Sequence, residues 1–192
     1  AYPVIRMKTP SQQLSSAAID ELKQIVGADY ALSSDEDRIC YGYDGQSVEH
    51  LPDAIVRPLD AGQISQILVL ANSEGFSVIP RGAGTGLSGG SVPVTGGVVL
   101  DLTRMARIVE IDPANLHATV EPGVITARLA SEVEKHGLLY APDPASMNVS
   151  TIGGNVAENA GGLRAIKYGV TRDYLMQVRA VAPTGEAFQS GA

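Results

Sequence analysis

The run Val78-Ile79-Pro80-Arg81-Gly82-Ala83-Gly84-Thr85-Gly86-Leu87-Ser88-Gly89-Gly90 sets a single guanidinium at the mouth of a loop built of glycine and small residues. Glycine permits positive φ and close approach of a ligand to the backbone, so successive N–H groups can converge on an anion. The chemistry this favours is phosphate binding. Arg81 suits two roles equally, offsetting phosphate charge or anchoring the loop through an acid. A second cluster runs from Gly153-Gly154-Asn155 to Asn159-Ala160-Gly161-Gly162, and the pair of clusters points to a nucleotide cofactor. His50, His117 and His136 stand in turn, strand and helix-end settings, in no spacing that suits a metal or a general base. No catalytic residue and no metal ligand is assigned.

The elements that must position these loops can be read from periodicity. Ser15 to Val26 places Ala18, Ile19, Leu22, Ile25 and Val26 on one helical stripe, with Ser15 or Ser16 as N-cap and Gly27 as the stop. Asp35 to Tyr43 reads as one or two helical turns opened by acids. Then come a strand at Ala54–Arg57, a helix at Ala61–Glu74 with Ile64, Ile67, Leu68 and Ala71 inward, and a strand at Phe76–Ile79. This is a βαβ crossover. Strands follow at 97–102, 108–111 and 116–120, the last two joined by the turn Asp112-Pro113-Ala114-Asn115. Thr126 to His136 is a helix ended by Gly137. The stretch 148–169 has no sustained period and reads as loop or short turns, which in a compact domain marks function. Tyr174 to Ala182 reads as a strand, and Pro183-Thr184-Gly185-Glu186 turns the chain into a final one.

Composition bounds what the site can serve. The chain of 192 residues is 44% hydrophobic, enough for a core, and its net charge of −7 argues against a nucleic-acid partner while allowing one locally held phosphate group. A single cysteine, Cys40, gives no internal disulfide. No apolar run approaches the roughly 20 residues of a transmembrane helix, and the start lacks the apolar core of a signal peptide. A cytoplasmic setting is expected, or one peripheral to a membrane within a larger complex. The first residue is not Met and the end is abrupt, so a processed or cut chain is expected.

Two familiar phosphate motifs fail. A P-loop needs Gly-Lys-Ser/Thr, and the loop holds no lysine. Gly84, Gly86 and Gly89 match the G-x-G-x-x-G spacing, but Gly90, Pro93, Gly96 and Gly97 lead into β-type residues where that fingerprint requires a helix. A third option is a flavin pyrophosphate held in a loop between strands, with N–H groups from Gly82 to Ser88 as donors; a glycine-rich surface linker is the structural alternative, and it explains poorly the two apolar strands that bracket the loop.

Three ordered motifs then carry a resemblance. Residues 52–58 (Pro-Asp-Ala-Ile-Val-Arg-Pro), 78–90, and 151–162 (Thr-Ile-Gly-Gly-Asn-Val-Ala-Glu-Asn-Ala-Gly-Gly) resemble the FAD-linked oxidases of the vanillyl-alcohol oxidase or p-cresol methylhydroxylase type. Residues 163–174 are most similar to the branch of glycolate oxidase FAD-binding subunits and D-lactate dehydrogenases. The resemblance, which runs from about Asp35 to the end, implies an α+β, two-lobed FAD-binding domain of the p-cresol methylhydroxylase type, with its C-terminal part and cap domain absent from this chain. Residues 1–47 would be an N-terminal helical segment. Residues 48–192 would form the incomplete domain, with lobes at about 48–105 and 106–192.

The resemblance also implies roles for residues. Pro80, Arg81, Gly82, Ala83, Gly84, Thr85, Gly86, Leu87 and Ser88 would cradle the pyrophosphate, and Glu121 and Gly123 would border the nucleotide half. Pro142, Asp143, Met147, Ser150, Thr151, Gly153, Gly154, Asn155, Asn159, Gly161, Tyr168, Gly169 and Val170 would line the flavin side. Structural roles stay open beside these, Glu121 as a helix N-terminal acid, Asp143 as a turn residue, and Asn155 and Asn159 as partners for irregular backbone. Family members with covalent FAD place a histidine in the first glycine loop, where this chain has Thr85, so the FAD is expected to be noncovalent. The implied activity of the full-length protein is oxidation of a small 2-hydroxy acid, glycolate or D-lactate, by hydride transfer to flavin. The substrate base and metal ligands would lie outside this chain, which alone would be inactive, and partner subunits or an electron acceptor would complete it. A non-catalytic nucleotide-binding or interaction domain is the alternative.

Overall fold

Helix α1 (Ser16–Val26) starts where the Ser15 hydroxyl accepts the Ala18 N–H at 3.1 Å and stops at Gly27, whose φ of 91° no β-carbon residue adopts easily. Its stripe of Ala18, Leu22 and Val26 is buried. The computed structural model describes residues 14–46 and 50–191, so residues 1–13 and 47 of the expected N-terminal helical segment lie outside the described residues. A short 3-10 turn (Ala28–Tyr30) leads to strand β1 (Ala31–Leu32), and Ser34 caps helix α2 (Asp35–Cys40).

Strand β2 (Ala54–Val56), helix α3 (Ala61–Glu74), strand β3 (Val78–Arg81) and strand β4 (Val98–Asp101) complete the first layer pair. The sheet order is β1-β2-β4-β3, so β4 enters between the two strands of the expected crossover, parallel to both. The chain passes from β3 to its parallel neighbour β4 through the glycine loop and no helix, as the failed dinucleotide fingerprint requires. Ala54, Val56, Val98 and Leu100 pack with the buried stripes of α1 and α3 in one core, and Ile55 and Val99 are also fully buried, as suits central parallel strands. On α3, Leu70 is buried in place of the expected Leu68.

The second core has its own elements. Strands β5 (Ile108–Asp112) and β6 (His117–Val120) form the expected hairpin, turned by Asp112, whose carboxylate accepts the N–H groups of Ala114 and Asn115. Helix α4 (Thr126–Glu134) places Leu129 and Val133 on Val124, with Ile108, Ile111, Ala118, Val120 and Ile152 around them. Within the stretch read as loop or short turns, the structure builds helix α5 (Ile152–Glu158) and the single turn α6 (Ala165–Tyr168). The α5 donors are met from outside its own period, Ile152 N–H on the Val124 carbonyl, Gly153 N–H on Pro122, and Gly154 N–H on the Thr151 hydroxyl. Strands β7 (Gln177–Val181) and β8 (Ala187–Gly191) form a hairpin that leans on α3, where Asn72 donates to the Pro183 carbonyl at 2.7 Å and Ser65 to that of Gly185 at 2.5 Å.

Candidate functional site

Arg81 ends β3 opposite Asp101 of β4, and its side chain, 6% exposed, turns back beneath the glycine loop. Its Nη1 donates to the Tyr43 carbonyl at 2.5 Å, and the guanidinium lies 5.7 Å from the Tyr41 ring centroid and 5.8 Å from that of Tyr43. Burial pulls its pKa down, against the tyrosines, Asp101 and Asp44, which favour the charge. The structure holds Arg81 through a carbonyl and two rings, and no acid is paired with it among the described residues. Gly84, at φ 68°, crosses this guanidinium where a β-carbon would collide with it.

Above that anchor, the N–H groups of Gly82 to Ser88 donate to no acceptor among the described residues, although Gly82 to Gly86 are half-buried. Backbone donors in the folded chain are usually paired, so a half-buried row of seven with no acceptor among the described residues has the chemistry to receive an anion. The facing wall is α5. Gly82 passes so near the Thr151 hydroxyl that a β-carbon there would strike it, and Ser88 donates to both carboxylate oxygens of Glu158 at 2.8 and 2.9 Å. Beneath α5, Asn155 donates to Thr126 Oγ1 at 2.8 Å, and Thr126 Oγ1 lies 2.9 Å from Ser150 Oγ. The Tyr140 phenol has its pKa raised chiefly by burial, against Thr171 and Asn155, which pull it down. This buried polar network fixes the floor in one arrangement.

Between loop and helix lies a cleft of about 370 Å³. It gathers all nine expected residues from Pro80 to Ser88 together with Ser150, Thr151, Gly153, Gly154 and Asn155. Pro122, lying between the expected Glu121 and Gly123, is the residue of that turn that reaches it. Glu121 is instead paired with Arg107 at 2.7 Å; burial would raise its carboxyl, but Arg107 outweighs this and holds it below the usual range. Gly123 lets the turn press on the Met105 carbonyl.

The other expected residues form a separate border. Asp143 accepts the Arg164 N–H at 3.0 Å, Asn159 is the left-handed cap of α5 and accepts the Arg172 N–H, and Val170 donates to Asp173. Gly161 packs against Val170, Gly169 against Asp173, the Tyr168 carbonyl accepts the Tyr174 hydroxyl, Met147 donates to the Pro144 carbonyl, and Pro142 is buried. Sequence reasoning missed Gly90, Ser91, Leu102 and Ser146 in the cleft, and within the segment 147–162 it did not single out Ala157, Glu158 and Ala160. For Glu158 a signal existed, since it follows Gly154 by four residues and Asn155 by three, the spacing of one helical face. Among the described residues no group of three or more His, Cys, Asp or Glu is placed to hold a metal ion, and no helix is long and apolar enough to cross a membrane.

A glycine loop between parallel strands, whose donors meet no acceptor among the described residues, facing a helix with a buried polar floor in an α+β fold, is the frame of a phosphate-binding domain. The chain belongs to the FAD binding domain family, whose match covers residues 52–191. It is similar to glycolate oxidase subunit GlcD of Bacillus subtilis (strain 168), 44% identical over 90% of this chain and 37% of that protein. It is also 44% identical to D-lactate dehydrogenase of Anaerostipes hadrus, over 73% of this chain and 30% of the relative. Its fold matches that of p-cresol methylhydroxylase with a TM-score of 0.79 at 24% identity, covering 91% of this chain and 35% of that one. The chain thus spans about a third of the length of each. FAD fits the residues present, since the loop donors left open among the described residues suit a pyrophosphate and the cleft is within the roughly 300–1,000 Å³ usual for small-molecule sites.

Proposed function

We propose that this chain is the FAD-holding part of an oxidoreductase that converts a small 2-hydroxy acid, of the glycolate or D-lactate kind, to the 2-oxo acid. The observation that carries the cofactor site is the row of N–H groups from Gly82 to Ser88 that meet no acceptor among the described residues. The names of the relatives, glycolate oxidase and D-lactate dehydrogenase, support the substrate class. Residues 82–88 bind the pyrophosphate by backbone donation, and Arg81 holds the loop from beneath. Ser150, Thr151 and Asn155 orient the cofactor from the α5 side, and the border from Pro142 to Val170 flanks the flavin. Bound FAD supplies two-electron acceptance from the substrate carbon. Residues 48–192 carry two halves meeting near residue 105, a meeting point that the two separate apolar cores support, with α1 and β1 packed into the first of them. No residue of this chain is assigned to substrate chemistry.

Thr85 lacks a ring nitrogen for a flavin bond, so FAD is held noncovalently. Acid precipitation of the FAD-loaded protein is expected to leave all flavin in the supernatant; yellow precipitate contradicts this. Adding glycolate or D-lactate without oxygen to the full-length protein with FAD is expected to bleach the flavin. Stable colour with every small 2-hydroxy acid overturns the substrate class and leaves the cofactor site standing.

A further inference from the structure

The family match begins at residue 52, yet the glycine loop is held largely by residues that precede it. Gly45 N–H donates to the Gly86 carbonyl at 2.9 Å, and the Gln46 side-chain amide donates to the Leu87 carbonyl. Asp44, 4% exposed, accepts the Gly89 N–H at 3.0 Å on one oxygen and the Gln46 N–H at 2.8 Å on the other. The Tyr43 carbonyl accepts Arg81. Gly45 sits so close that a β-carbon would lie 2.9 Å from the Gly86 carbonyl oxygen. One short segment thus occupies the loop carbonyls at 86 and 87 and the N–H at 89, while the N–H groups of 82–88 meet no acceptor among the described residues.

We propose that residues 43–46 belong to the cofactor site as positioning residues, with Asp44 and Gln46 holding the glycine loop so that its free N–H groups converge on a diphosphate. This rests on the reading of residues 82–88 as the pyrophosphate cradle. A loop with so few internal hydrogen bonds would otherwise have to be ordered at the moment of binding, and bonds made beforehand remove that cost. Both Asp44 oxygens face N–H donors and the Arg81 charge is nearby, so the carboxylate does not oppose an incoming anion. The site therefore extends past the start of the family match.

The test is the dissociation constant for FAD and for ADP, which keeps the diphosphate and lacks the flavin, in the protein that carries this chain. Asp44→Ala is expected to weaken both about tenfold and Gln46→Ala about threefold, the sizes of a lost charge-assisted and a lost neutral hydrogen bond. A purely structural role would lower the unfolding midpoint and leave the folded protein's affinities unchanged. Affinities within twofold of the unsubstituted protein for both variants overturn the proposal; if Asp44→Ala does not fold, the exposed Gln46→Ala decides alone. Gly86→Asp tests the underlying reading, because a β-carbon at Gly86 meets nothing within 4 Å and the substitution adds a negative charge to the loop itself. Unchanged FAD and ADP affinity in Gly86→Asp overturns the cradle and this proposal with it. Loss there with full affinity in the other two variants overturns the positioning role alone.

Discussion

Tyr41 shows how single residues brace the site from behind. Its hydroxyl donates to Asp101 at 2.9 Å, Arg57 meets the same carboxylate at 3.1 Å, and its ring faces Arg81. Burial, and next the Asp101 charge, raise the Tyr41 pKa from 10.0 to about 12. The folded state therefore favours the neutral phenol, and this contribution is complete below pH 10 and lost as pH rises toward 12. Since the ring is only half-buried, the loss is on the order of 1 kcal/mol. Urea unfolding at pH 9 and near pH 12 is expected to show the advantage of the natural protein over Tyr41→Phe shrinking by that amount; a constant gap contradicts it. Such a cluster is invisible in sequence, because Tyr41 and Asp101 are 60 residues apart and only strand pairing brings them together. Arg81 was visible as a residue and not as a role, since its partners are a carbonyl and two rings 38 to 40 residues upstream.

At the scale of elements, α1 and α3 were legible because their apolar residues recur at helical spacing and each has a side-chain cap before it and glycine after it. Helix α5 was not. Its sequence, Ile-Gly-Gly-Asn-Val-Ala-Glu, carries no apolar period, and what specifies it is the turn at Pro122 to Val124, which takes its first N–H groups. Gly153 is the contact point, where a β-carbon would lie 2.6 Å from Pro122 Cβ. Helix propensity alone favours Gly153→Ala by about 1 kcal/mol, whereas overpacking at a rigid proline costs roughly 1–3 kcal/mol. The contact is expected to win. Gly153→Ala should lower unfolding stability by on the order of 1 kcal/mol in urea titration, and a more stable variant would show that the turn yields freely. The cleft was half legible for the same reason: its glycine loop announces itself in sequence, and its facing wall depends on a helix that only tertiary contacts create.

Across the whole molecule, two apolar cores sit behind a cleft whose near wall is the glycine crossover from β3 to β4 and whose far wall is α5. The net charge of −7 sets a field that disfavours anions, so diphosphate binding must rest on local donors. Cofactor binding to the folded state is expected to raise stability by about 2.7 kcal/mol at a free FAD concentration 100 times its dissociation constant, read as a rise in the thermal midpoint. The most direct measurement is amide hydrogen exchange with and without FAD. Free donors exchange quickly, so FAD is expected to slow the amides of 82–88 sharply while those of the 112–117 turn keep their rates. Unchanged exchange at 82–88 in protein that has bound FAD would contradict the glycine loop as its pyrophosphate cradle.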